Sequence, residues 1–126
     1  MSAVVARARA AIGARFRVQG RSVEGGFDCV GLVGWATGRA VPRGYPARCG
    51  DAARAGDALA AAGFVAVGEA RPGDVLLLAS APGQLHLAIV SELGIIHADG
   101  VARRVVERPG VPPWPVIGVW RMEEAG

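Results

Sequence analysis

Residues 72–99 read PGDVLLLASAPGQLHLAIVSELGIIHAD, and their hydrophobic period decides the fold class. The Pro72-Gly73 turn feeds a short apolar strand from about Asp74 to Ala79. QLHLAIVSE, from Gln84, then alternates: Leu85, Leu87 and Ile89 point one way, His86, Ala88 and Val90 the other. GIIHADG from Gly94 and VARRVVE from Val101 read as further strands, and PVIGVWRM from Pro115 as the last. Upstream of this block the period is helical. The first thirteen residues place Val4, Val5, Ala8, Ala11 and Ile12 on one face, with Arg7 and Arg9 off it and Gly13 at the end. Residues 14–26, ARFRVQGRSVEGG, form a glycine-punctuated loop. Asp28 reads as the N-cap of a helix over about 29–37 that Gly38 stops. A loop with Pro42, Gly44 and Pro46 leads to Asp51, a second N-cap, and an alanine-rich helix to about Ala62 with Gly63 at its end. Helices followed by a run of strands make an α+β architecture, with N-terminal helices packed on a mainly antiparallel sheet of about five strands.

The inventory bounds the rest. One hundred and twenty-six residues, 52% of them hydrophobic, make a single domain, 1–126, with a real core. Two cysteines form no disulfide framework, and Cys29 and Cys49 lack the close pairing of a zinc knuckle. No metal or other cofactor is expected. No run approaches eighteen apolar residues, so no membrane span is expected. The N-terminus, MSAVVARARAAIGARF, interleaves arginine with alanine and valine, so no secretory signal is read and synthesis in the cytoplasm is the expectation. The net charge is +3 and every basic residue is arginine. Those arginines are scattered and aromatics are only 6%, so no nucleic-acid partner is expected.

Cys29 is the most informative position. As first residue of a capped helix it meets unpaired backbone N–H groups and the positive end of the dipole, which favour a thiolate. Gly31, two residues on, costs about 1 kcal/mol relative to alanine inside a helix, and permits close approach of another backbone. The two histidines add geometry. An even-length turn between Ser91 and Gly94 pairs position 88 with 97 and 86 with 99, which puts His86 and His97 on one face as diagonal neighbours. An odd turn would separate them. A helix-start thiol facing two histidines on adjacent strands supplies a nucleophile, a base and an orienter. The same residues with Cys49 as a metal site fit no standard zinc spacing.

The order FDCVGLV, RPGDVLLL, QLHLAIV, GIIHADG resembles the NlpC/p-sixty cell-wall peptidases, papain-like cysteine hydrolases, over about residues 3–121. The resemblance implies a papain-like NlpC-type fold with Cys29 as nucleophile, His86 as base and His97 as third polar residue. It implies hydrolysis of peptidoglycan stem peptides, commonly between D-glutamate, through its γ-carboxyl, and diaminopimelate or lysine. Many members carry a tyrosine before the cysteine in a Gly-x-x-Tyr segment; here GARF places Phe16 there. Val30 stands where many carry serine. Gln19 is the nearest neutral donor and, with the Cys29 N–H, is the expected oxyanion hole. The residues expected to meet substrate are Phe16, Arg17, Arg21 and Asp28: arginine forks match stem-peptide carboxylates, and Asp28 matches an ammonium. Cys49 reads as structural or incidental, and Trp35, Trp114 and Trp120 as core or cleft-wall packing. The compact form looks like the short peptidases of phage tails and gene-transfer-agent particles, whose proteins would then be partners and deliver the chain to the wall. Two other readings stay open: a non-catalytic particle component that binds wall peptides, and a papain-like hydrolase or acyltransferase acting on another amide or ester.

Overall fold

The computed structural model describes residues 2–41 and 50–123. Among the described residues the first half of the chain holds three helices, α1 (Ala3–Ala10), α2 (Cys29–Thr37) and α3 (Ala52–Ala61). Each begins on a side-chain cap, with Ser2, Asp28 and Asp51 accepting from the backbone N–H of Val5, Gly31 and Arg54. These bonds satisfy donors that a helix start leaves without partners. The first helix is shorter than its hydrophobic period predicts. At Gly13, whose φ is +92°, the chain has already turned to donate to the Val105 carbonyl. Cys49, Pro42, Gly44 and Pro46 lie outside the described residues.

The sequence after α3 folds into β3 (Phe64–Val67), β4 (Val75–Ala81), β5 (Gln84–Val90), β6 (Gly94–Asp99), β7 (Arg104–Pro109) and β8 (Val116–Met122). They form one six-stranded sheet in the order β3-β8-β4-β5-β6-β7, with every pairing antiparallel. The sheet is one strand larger than expected. The extra strand, β3, has four residues of which only Phe64 is buried, so it carries no legible alternation and is defined by pairing with β8. A two-residue ribbon, β1 (Arg21–Ser22) with β2 (Gly26–Phe27), forms inside the loop expected over 14–26. Arg15 bridges Arg104, so this same loop covers the outer edge of β7.

The sheet buries both faces. On one, Val4, Val5 and Ala8 of α1 and Leu32, Val33 and Ala36 of α2 pack with Phe27 on Val75, Ile89 and Ile96. On the other, Leu76, Leu78, Ala88 and Ile95 form a smaller cluster under Trp114 and Val119. Among the described residues no helix is long and apolar enough to cross a membrane.

One feature of the sheet positions the site. The β5–β6 ladder pairs Val90 with Ile95 and Ile89 with Ile96, the register of an even turn. The turn is tied by Ser91 N–H to the Gly94 carbonyl and by Gly94 N–H to Ser91 Oγ. Beyond Ile89–Ile96 the rungs stop, and His86 and His97 lie past the last one. Helix α2 packs on β5 and β6, and Cys29 at its start lies beside the Leu87 backbone.

Candidate active site

Cys29 opens α2 and is half-buried. Its sulfur lies within hydrogen-bonding range of the Leu87 backbone and of the Val30 and Cys29 backbone at the helix start. Leu87 is the neighbour of His86, and both sit on the part of β5 that has left the β6 ladder. The helix start is fixed by Asp28, which is buried. One of its oxygens, Oδ1, accepts from Gly31 N–H at 2.8 Å and meets the Arg21 guanidinium at 3.3 Å. The other, Oδ2, accepts from Gln19 N–H at 2.7 Å. Gly31 is needed for close approach: a Cβ there would land on the Gly20 carbonyl oxygen. Asp28 and Gly31 together lock the 19–21 loop onto the turn that carries Cys29.

On β5 and β6, Nε2 of His86 and Nδ1 of His97 are 2.8 Å apart. The imidazoles are nearly perpendicular, with centroids 5.1 Å apart and planes at 82°. His97 is buried and its Nε2 has no partner among the described residues. Trp114 stands edge-on to both rings, at 5.4 Å from His86 and 5.6 Å from His97. Among the described residues no hydrogen bond joins the Cys29 sulfur to His86, whose Nδ1 is the nitrogen left over by His97.

Burial sets the protonation of the group. Desolvation pushes the Cys29 thiol up to about 11, with the Asp28 charge adding and the Leu87, Val30 and Cys29 backbone opposing. This corrects the expectation of a thiolate favoured by the helix start: the N–H groups do face the sulfur, but loss of water outweighs them. Desolvation likewise takes His86 down to about 4; His97 adds to the fall and Asp99 opposes it. His97 is lowered by burial, with Asp99 raising it and Arg108 lowering it. At neutral pH the three are thiol, imidazole and imidazole.

The residues expected to meet substrate divide. Asp28 has both oxygens on protein donors and Arg21 donates to it and to the Gly20 carbonyl, so these two build the helix start. A buried carboxylate already bonded on both oxygens is not placed to receive a substrate ammonium. Phe16 is half-buried against the main core, with the Arg103 guanidinium 5.6 Å above its ring. Arg17 is exposed. Gln19 is half-buried with φ +62°, a left-handed conformation that costs a non-glycine residue about 1 kcal/mol, and Asp28 holds its backbone at the residue before Cys29. Trp114, expected as core or cleft-wall packing, is the ring against both imidazoles; which rings it would touch was not legible, and the local signal was Pro113 and Pro115 on either side of it.

No protein-family model matches the sequence, and no curated protein does. Solved structures do. The NlpC/p60 domain of the peptidoglycan hydrolase SagA is 28% identical, over 82% of this chain and 84% of that one, with a TM-score of 0.54. The peptidoglycan hydrolase RipB from Mycobacterium tuberculosis is 27% identical, over 98% of this chain and 64% of its own, with a TM-score of 0.64. The chain resembles NlpC/p60 domains in sequence and in fold. At 23% identity, the p60 domain of an antigen from M. avium subspecies paratuberculosis adds likeness of fold, with a TM-score of 0.66 over 98% of this chain and 94% of that one. The chain thus spans about two thirds of the RipB structure and most of the two isolated domains.

Proposed function

We propose that this chain is a cell-wall hydrolase that cleaves an amide bond of peptidoglycan stem peptides through a Cys29 thioester. The observation that carries the reading is a capped helix-start cysteine beside the Leu87 backbone of β5, next in sequence to a His86 that is paired with His97 at the open end of β5 and β6. The likeness to SagA and RipB, both peptidoglycan hydrolases, supports the substrate class.

The proton inventory supports general-base rather than ion-pair chemistry. The Cys29 S–H proton passes to His86 Nδ1 as sulfur attacks the carbonyl carbon. Negative charge develops on the carbonyl oxygen, where the Cys29 backbone N–H and Gln19 are the donors at hand. His86 then gives its proton to the amine as the C–N bond breaks. Water attacks the thioester, loses a proton to His86, and releases the acid and the thiol. His97 holds His86 in the orientation that leaves Nδ1 free. The scissile bond of the proposal is γ-D-glutamyl–diaminopimelate.

The test is turnover of purified muropeptides by the wild-type chain and by Cys29→Ala and His86→Ala. Both variants should lose product release while still binding muropeptide. Unchanged release in either sinks the assignment. Binding without turnover in the wild type favours a wall-peptide-binding component, which Phe16 in place of a tyrosine hydroxyl would suit.

A further inference from the structure

The connection from β7 to β8 carries a tryptophan between prolines, Pro112-Pro113-Trp114-Pro115. Pro113 and Pro115 fix their own φ, and Pro115 confines Trp114 to extended backbone. Just beyond the indole the chain is fastened to β4: the Pro115 carbonyl accepts from Ala79 N–H at 3.0 Å, and Val116 pairs with Leu78. The half-buried indole rests on the cluster of Leu76, Leu78, Ala88 and Ile95. From this base its plane makes 74° with His86 and 76° with His97, which make 82° with each other. Three rings thus stand mutually near-perpendicular, each pair edge-on.

We infer that Trp114 is a positioning residue of this site, walling the His86–His97 hydrogen bond from water and holding the two imidazoles at right angles so that His86 keeps Nδ1 for the thiol. Its catalytic meaning rests on the proposed hydrolase reading; its effect on the rings does not. The χ2 torsion of histidine has broad minima, so one hydrogen bond alone leaves each imidazole free to swing. A third ring on a proline-clamped backbone removes that freedom. Excluding water also strengthens the bond between the imidazoles and disfavours their charged forms. The charged groups acting on the pair are Asp99 of β6 and Arg108 of β7, and the neutral Cys29 thiol of α2 lies beside Leu87, next to His86. None of them changes when the indole is replaced, so a shifted histidine titration reports water reaching the rings.

The experiment uses the full chain as Trp114→Leu and Trp114→Phe, with histidine-ring NMR titration from pH 3 to 8 and the pH dependence of kcat/KM on muropeptides. Trp114→Leu is expected to raise the His86 midpoint by about one unit or more toward the free-imidazole value and to carry the acid limb of kcat/KM with it. It should lower kcat more than it changes KM, and Trp114→Phe should recover at least half of each effect. A His86 midpoint unmoved in Trp114→Leu, or moved as far in Trp114→Phe, overturns the inference. If Trp114→Leu does not fold, Trp114→Met takes its place under the same two outcomes. A moved midpoint beside a wild type that turns over nothing upholds the positioning role and removes the hydrolase reading.

Discussion

Nε2 of His86 lies 2.8 Å from Nδ1 of His97, and this contact settles which face of His86 is available for chemistry. For Nδ1 of His86 to take a thiol proton, its Nε2 must carry hydrogen and donate to His97. His97 then accepts on Nδ1 and bears its own proton on Nε2. The pair is a tautomer lock as much as a hydrogen bond.

Replacing the acceptor should therefore damage the rate more than the fold. His97→Ala is expected to lower kcat on muropeptides by on the order of 10²-fold with little change in KM, since the substrate loses no contact. His97→Asn, whose amide oxygen can accept from Nε2–H, should recover part of the loss. Equal loss in both variants would show that His97 acts by packing alone.

The neutral thiol has a kinetic signature. With Cys29 pushed up to about 11, the thiolate is a minor species at pH 7 and grows about tenfold per unit of pH. Alkylation by iodoacetamide should climb steadily from pH 7 to 10 without levelling. His86, held near 4, is already neutral throughout that range, so it adds no second step. A plateau at or below pH 8.5 would instead reveal an activated thiolate and overturn the general-base account.

The local signals in the sequence were strong wherever one residue type answers one physical demand. Asp28 before an apolar run marked a helix start, Gly31 marked close backbone approach, and alternation around His86 and His97 marked a shared face. The distance between α2 and β5 was not legible, because it depends on where the β5–β6 ladder ends. The size of the sheet was missed because β3 owes its existence to β8 and not to its own four residues. The thiol's basicity was misjudged for a related reason. A helix start is a local feature, whereas the desolvation that dominates Cys29 comes from burial in the folded chain, which local sequence does not report. Arg21 looked like a free fork for carboxylates because its partner, Asp28, lies across a ribbon too short to be read.

The backbone contact under α2 gives a stability prediction. An alanine methyl at position 31 would meet the Gly20 carbonyl oxygen and stand 2.9 Å from the Arg21 guanidinium, so backbone must move. Gly31→Ala is expected to cost about 2–3 kcal/mol in chemical denaturation. Asp28→Ala removes the cap and leaves Gln19 N–H and Arg21 without their carboxylate, for a loss of similar size. Asp28→Asn keeps the cap and should lose less. A Gly31→Ala chain as stable as wild type would mean that the 19–21 loop does not sit on the helix as described.

Gln19 offers the sharpest separation of folding from chemistry. Its φ of +62° costs a side-chain-bearing residue about 1 kcal/mol, and glycine would relieve this. Glycine also adds about 0.5–1 kcal/mol of chain entropy to be lost on folding, so the two effects nearly cancel. The bond that Asp28 accepts at this position comes from backbone N–H and survives the change. Gln19→Gly should therefore unfold at nearly the wild-type denaturant concentration. A strained conformation at neutral net cost invites a role for the side chain, and binding the oxyanion of the proposed reaction is the role to test. We expect kcat to fall by on the order of 10²-fold in Gln19→Gly, with muropeptide binding intact. Unaltered kcat at unaltered stability would reduce Gln19 to a turn residue and leave the Cys29 backbone as the remaining donor of the pair.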